Sequence, residues 1–166
     1  MIRLLITGGT FDKHYDALKG ELTFRRTHLP EILETVRCTA PIELEIIQLL
    51  DSLEMGEDDR ERIASSCERA AERHILITHG TDTMTVTACR LLAAHDRGSM
   101  RDKTIVLTGA MVPFTVTGSD ALFNLGGAIV AVQMLPAGVY IVMHGRVFHA
   151  GSVTKNRTVG QFIEIS

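Results

Sequence analysis

With 166 residues, 45% hydrophobic and 22% charged, the chain has the make-up of one globular domain that buries about two-thirds of its unfolded surface. A formal net charge of −3, no basic run, few aromatics and no Trp argue against a nucleic-acid surface. No apolar run approaches the roughly 20 residues that cross a bilayer, and Met1 leads directly into an apolar segment, so a cytoplasmic protein without a signal peptide is expected.

Taken in order, Ile2 to Thr7 predicts a first strand, closed by Gly8-Gly9. Phe11 to Gly20 is polar, lacks a clear period and predicts a mobile loop, with Leu22 to Phe24 as a brief edge strand. Leu29 to Cys38 has helical spacing, with Pro30 in the tolerated first turn. Ile42 to Leu50 predicts a long strand ending in Asp51-Ser52-Leu53-Glu54-Met55. Glu57 to Arg73 predicts a helix, because acids lead and Arg69 and Arg73 close it, matching the helix dipole. Ile75 to Thr78 predicts a buried strand, followed by a helix from Met84 to His95. Thr104 to Thr108 is the next strand, Ala110 to Asp120 a loop, and Ala121 to Met134 a helix with small residues for close packing. Gly138 to Met143 predicts a fifth strand that His144-Gly145-Arg146 turns back into Val147 to His149 as an antiparallel ribbon. Strands alternating with helices predict a three-layer parallel sheet with right-handed crossovers, flavodoxin- or Rossmann-like.

Three strands end in similar turns: LLITGGT at Leu4 to Thr10, ILITHGTDT at Ile75 to Thr83 and IVLTGAM at Ile105 to Met111. Open α/β sheets bind ligands at the carboxyl ends of their strands, so these hydroxyls and the Asp82 carboxylate read as one site. Taken singly, each residue has an ordinary explanation: Thr10 as a turn residue, Thr81 and Asp82 as helix caps, Lys155 as a surface lysine. Phosphate-loop and dinucleotide glycine fingerprints are absent. The seven histidines include no spacing with Cys or carboxylate support, so no metal is expected. Cys38, Cys67 and Cys89 read as buried thiols.

Together, TGGT near the N-terminus, HGTDTM about seventy residues on, LTGAM followed by Ser119-Asp120 and Phe123-Asn124-Leu125, and the late Val153-Thr154-Lys155 resemble the bacterial and archaeal L-asparaginases. The resemblance runs along nearly the whole chain and corresponds to that family's larger, N-terminal domain; the smaller C-terminal domain has no counterpart in residues 1–166. It implies an amidohydrolase acting on L-asparagine or a related small amide, without a cofactor, through a threonine acyl-enzyme. The family threonine matching Thr10 attacks the amide carbon, and Thr81 matches a second essential hydroxyl; either can be the nucleophile here. Thr81, Lys155 and Asp82 would form a nucleophile–base–orienter set, with Lys155 serving proton transfer and charge stabilisation. Tyr15 corresponds to the lid tyrosine. Substrate contacts fall to Gly9, Ser52, Gly80 and Ala110, and backbone N–H groups near Gly9 and Thr81 form the oxyanion hole. Ser119, Asp120 and Asn124 order a loop. Leu53 departs from the polar residue of relatives and predicts weakened binding of free L-asparagine. The partner is a small amide or amino acid, not nucleic acid or membrane, and a homodimer or homotetramer is expected. A second reading is a non-catalytic domain that binds Asp, Asn or a related amide.

Overall fold

The first apolar run forms β1 (Ile2–Gly8) in a computed structural model that describes residues 1–165. The following 3-10 turn (Thr10–Asp12) leads into a hairpin of β2 (His14–Asp16) and β3 (Glu21–Thr23), then α1 (Leu29–Thr35) and β4 (Ile42–Leu50). Next come α2 (Glu57–Arg69), β5 (His74–Thr78), α3 (Met84–Arg97), β6 (Thr104–Thr108) and α4 (Ala121–Met134). The chain then forms β7 (Gly138–Met143), β8 (Arg146–His149), β9 (Val153–Asn156) and β10 (Gln161–Glu164).

One six-stranded sheet runs β4-β1-β5-β6-β7-β8, parallel except for β8, which returns antiparallel on β7. Its inner strands are apolar on both faces because both are covered. Leu5, Ile77 and Leu107 meet α2 and α3 through Ile63, Cys67, Ala88 and Leu91. Leu4, Ile6, Leu76 and Val106 meet α1 and α4 through Ile32, Leu125, Ala128 and Val132. This is the three-layer α/β arrangement the alternation predicts. The register aligns the strand ends, with Ile6 opposite Thr78 and Thr78 opposite Thr108, so three turns emerge side by side at the carboxyl edge.

Four local expectations are corrected. Phe11 to Gly20 is not a featureless loop: Tyr15 pairs with Leu22, and the Asp16 carboxylate accepts from the N–H groups of Leu18 (3.0 Å) and Lys19 (3.2 Å), closing an Asx-type turn. The first helix stops at Thr35, with Arg37 at φ 53° reversing the chain. The second stops at Arg69, because the buried Lys103 amine donates to Ala70 O (2.6 Å) and Glu72 O (3.1 Å) and holds those carbonyls outside the helix. The tail forms the β9–β10 hairpin, pinned by Val153 and Phe162 in the core. Of the cysteines only Cys67 is buried, and burial pushes its thiol up to about 12; Cys89 is exposed. Among the described residues no helix is long and apolar enough to cross a membrane, and no group of three or more His, Cys, Asp or Glu could hold a metal ion.

Candidate active site

The turns after β1 and β5 are in backbone contact. Gly9 has φ 77°, and a Cβ there would lie 2.3 Å from Gly80 N, so only glycine permits this approach. The turn after β6 closes on the same point, where a Cβ at Gly109 would stand 2.4 Å from His79 O and 3.3 Å from Thr81 Cγ2. Ser52, in the turn after β4, is buried, and its Oγ would lie 2.5 Å from a Cβ at Gly80. Four strand tips therefore pack around Gly80. This brings the segments bearing Gly9, Thr10, Ser52, Gly80, Thr81 and Ala110 to one place.

Lys155 reaches this place from β9. Cross-strand pairing sets Lys155 opposite Phe162, and alternation puts it on the same face as Val153; both apolar neighbours are sunk in the core. Its ammonium consequently points inward. Lys155 Nζ donates to Thr81 Oγ1 at 2.8 Å and to Asp82 Oδ1 at 2.7 Å. Thr81 is buried, the Lys155 side chain is 9% exposed and that of Asp82 37%. A hydroxyl, an amine and an orienting carboxylate, hydrogen-bonded in series and partly shielded from water, can activate a nucleophile or stabilise an alkoxide.

Other placements differ from the expectations. Gly9 N–H donates to Leu50 O at 3.0 Å, so an oxyanion donor in this turn must come from a neighbouring backbone group. The Thr10 hydroxyl has no hydrogen bond within the described residues and sits at the start of the 3-10 turn. Tyr15 stands on the hairpin, 62% exposed and without a hydrogen bond to this cluster. Leu53 is 65% exposed. Asp51 pairs with Lys13; burial pushes its carboxyl up, but that ion pair and the Leu53 N–H outweigh it and hold the group below its ordinary value.

The sequence pattern did not reveal the groups that brace the turns. His79 is buried between Gly80 O (2.7 Å from Nδ1) and Thr87 Oγ1 (2.8 Å from Nε2), and burial depresses its pKa to about 4. The neutral ring thus donates from Nδ1 to the carbonyl and accepts from the hydroxyl. A histidine inside an apolar strand end was the available signal. Asp120 accepts from Met111 N (2.9 Å) and Val112 N (3.0 Å) and from Asn124 Nδ2 (2.7 Å), and pairs with His144 Nε2 (3.1 Å). Burial alone would raise this carboxyl, but those N–H groups keep it low. Asn124 also donates to Gly109 O (2.9 Å) and accepts from His144 N (2.9 Å), tying α4 to the Gly109 turn. A cavity of about 520 Å³ beside this latch is lined by Met111, Asp120, His144, Arg146 and Phe148 among others, and includes none of Thr10, Ser52, Thr81, Asp82 or Lys155.

Comparison with known proteins gives one answer. The family described as asparaginase, N-terminal, matches residues 1–161. L-asparaginase 2 of Escherichia coli is 32% identical over 168 residues, covering 95% of this chain and 47% of that protein. The L-asparaginase of Dirofilaria immitis is 30% identical over 156 residues, 91% of this chain and 26% of that one. The solved structure of the thermostable L-asparaginase from Thermococcus kodakarensis superposes with a TM-score of 0.82 at 26% identity, across 99% of this chain and 51% of that chain. The chain thus spans about half the length, or less, of these relatives.

Proposed function

The chain belongs to the asparaginase family, and from that premise we propose that it hydrolyses the side-chain amide of L-asparagine or of a related small amide to the acid and ammonia. The observation that carries this reading is the Thr81–Lys155–Asp82 hydrogen-bond series, assembled from two distant parts of the chain at the carboxyl edge of the sheet. A domain that only binds an amino acid has no need of a threonine coupled to a lysine in this way.

In the proposed reaction a threonine hydroxyl, of Thr10 or Thr81, adds to the amide carbon, and the resulting oxyanion is held by backbone N–H groups of the turns. Collapse breaks the C–N bond, and the nitrogen leaves as ammonia after taking up a proton. Water then attacks the ester, releasing the acid and restoring the hydroxyl. Lys155, as free amine, accepts the hydroxyl proton, or, as ammonium, stabilises the alkoxide; Asp82 orients it. Gly80 and Ala110 would shape the floor, and Ser52 would lie near the substrate carboxylate. Tyr15 would act only if the hairpin folds over the turns. No cofactor enters. We further propose that the 1–166 unit acts as one domain and self-associates.

Ammonia release from L-asparagine, succinamic acid and N-acyl asparagine, with Thr81→Val as control, tests the reading. Leu53 supplies no polar contact to the head group, so free asparagine should bind about ten- to a thousandfold more weakly than a site with one or two further hydrogen bonds would allow. Release abolished by Thr81→Val is expected. Tight binding of aspartate with no turnover of any amide would instead mark a sensor.

A further inference from the structure

A second concave site lies against the β2–β3 hairpin, and none of its lining residues belongs to the set above. This cavity of about 390 Å³ is lined by His14, Arg25, Arg26 and His28, each side chain a cation or an N–H donor. His28 is 8% exposed, yet neither of its ring nitrogens has a hydrogen-bond partner among the described residues. Phe114 packs against one side of the ring at 5.7 Å between centroids, and Glu31 Oε2 stops 3.8 Å short of Nδ1. A polar ring held in a cavity without a partner is costly unless something in that cavity completes it. Arg26 likewise has no ion-pair partner among the described residues.

The nearby acids compete weakly for these donors. Asp16 takes up Arg25 at 3.3 Å together with the two N–H groups of its own turn. Glu31 is exposed at the rim. Asp12, behind His28, spends one oxygen on Thr27 Oγ1 and His28 N, both at 2.9 Å, and burial pushes its carboxyl up toward the neutral form. His14 Nε2 lies 3.3 Å from Thr23 Oγ1, which leaves its other ring nitrogen for a ligand.

We propose that this cavity binds a small molecule through an oxyanion group, phosphate or carboxylate, gripped by the Arg25 and Arg26 guanidiniums at the mouth and by His28 from below. Planar guanidinium forks match two oxygens of such a group, and the imidazole N–H supplies a third donor. The site does not depend on amide hydrolysis.

The test is calorimetric titration of the full chain with inorganic phosphate and, separately, with succinate, in chloride buffer, with nitrogen-detected spectra of the histidine rings. One-to-one saturable binding of at least one anion is expected, with the His28 ring signals moving. Phosphate binding alone identifies a phosphorylated ligand, and succinate binding alone a carboxylate. In the Arg25→Ala/Arg26→Ala double variant, whose changes are on exposed residues, affinity should fall at least about tenfold with an unchanged melting temperature. Absence of saturation with both anions up to about 10 mM, unmoved His28 signals, or wild-type affinity in the double variant would overturn the proposal.

Discussion

The most informative residue is Lys155, a side chain that a surface reading would dismiss. Its amine touches both Thr81 and Asp82, so replacing it by Met removes the group that handles the hydroxyl proton while keeping the stem that fills the same space. Lys155→Met should lower kcat by about a thousandfold or more with little change in KM, since residues acting as a unit fail together. Steady-state kinetics on the best amide decide it, and a kcat within tenfold of wild type would remove Lys155 from the chemistry. His79 supports a prediction of a different kind. Its folded pKa of about 4 lies below the ordinary 6.5, so the unfolded chain binds a proton that the folded chain refuses. Stability contributed by neutral His79 is complete above pH 6.5 and is lost as pH falls from there toward 4, by on the order of 3 kcal/mol at most. Urea unfolding at pH 7, 5.5 and 4.5 should show that slope, and His79→Gln, weaker at pH 7, should flatten it. An equal slope in both proteins would contradict the assignment.

At the scale of elements, the site exists because four turns approach closer than side chains permit. Gly109→Ala sets a methyl 2.4 Å from His79 O and against Thr81, so the β6 turn must retreat from the β5 turn. Overpacking of this kind costs about 1–3 kcal/mol, which the domain can absorb, but it displaces Thr81 from Lys155. We expect a folded protein with amide hydrolysis reduced at least about tenfold, following the sensitivity of catalysis to misplacement on the order of 1 Å. Circular dichroism with the ammonia assay checks both halves; wild-type kcat in Gly109→Ala would show that the close approach is dispensable. The Asp120–Asn124–His144 latch belongs to the same scale, since it anchors that turn to the first residues of α4 and to the end of β7.

For the molecule as a whole, the outer face of α4 is the feature that one copy leaves unsatisfied. Leu122, Phe123, Val130 and Met134 are 41%, 65%, 61% and 78% exposed, and Gly126 lies among them with open space where a Cβ would point. Contiguous exposed apolar surface on a helix marks an association face, and a twofold axis lets the same face serve both copies. Sedimentation at micromolar concentration should therefore show a dimer or a multiple of it, and Val130→Lys with Met134→Lys should yield monomers that retain their fold. A wild-type monomer under those conditions would refute self-association through α4.

Periodicity alone determined the alternating strands and helices, several with their bounds intact, because strands buried on both faces read as continuous apolar runs and Gly-rich turns punctuate them. Ile42–Leu50, Thr104–Thr108, Ala121–Met134 and Gly138–Met143 are of this kind. The motifs at the strand ends likewise marked which edge of the sheet to examine, since parallel order places every such turn on one side. Three things depended on contacts between residues far apart. The helix over Glu57–Arg69 stops early because Lys103, thirty residues on, captures its carbonyls. The polar Phe11–Gly20 segment becomes a hairpin because Asp16 bonds its own turn and Arg25. Lys155 meets Thr81 across 74 positions only because Val153 and Phe162, which lack any helical or long strand period, are anchored in the core. Local pattern encodes the elements, since each residue's backbone preference is its own; which side chains meet is decided by packing and hydrogen bonds that exist only once the elements are assembled.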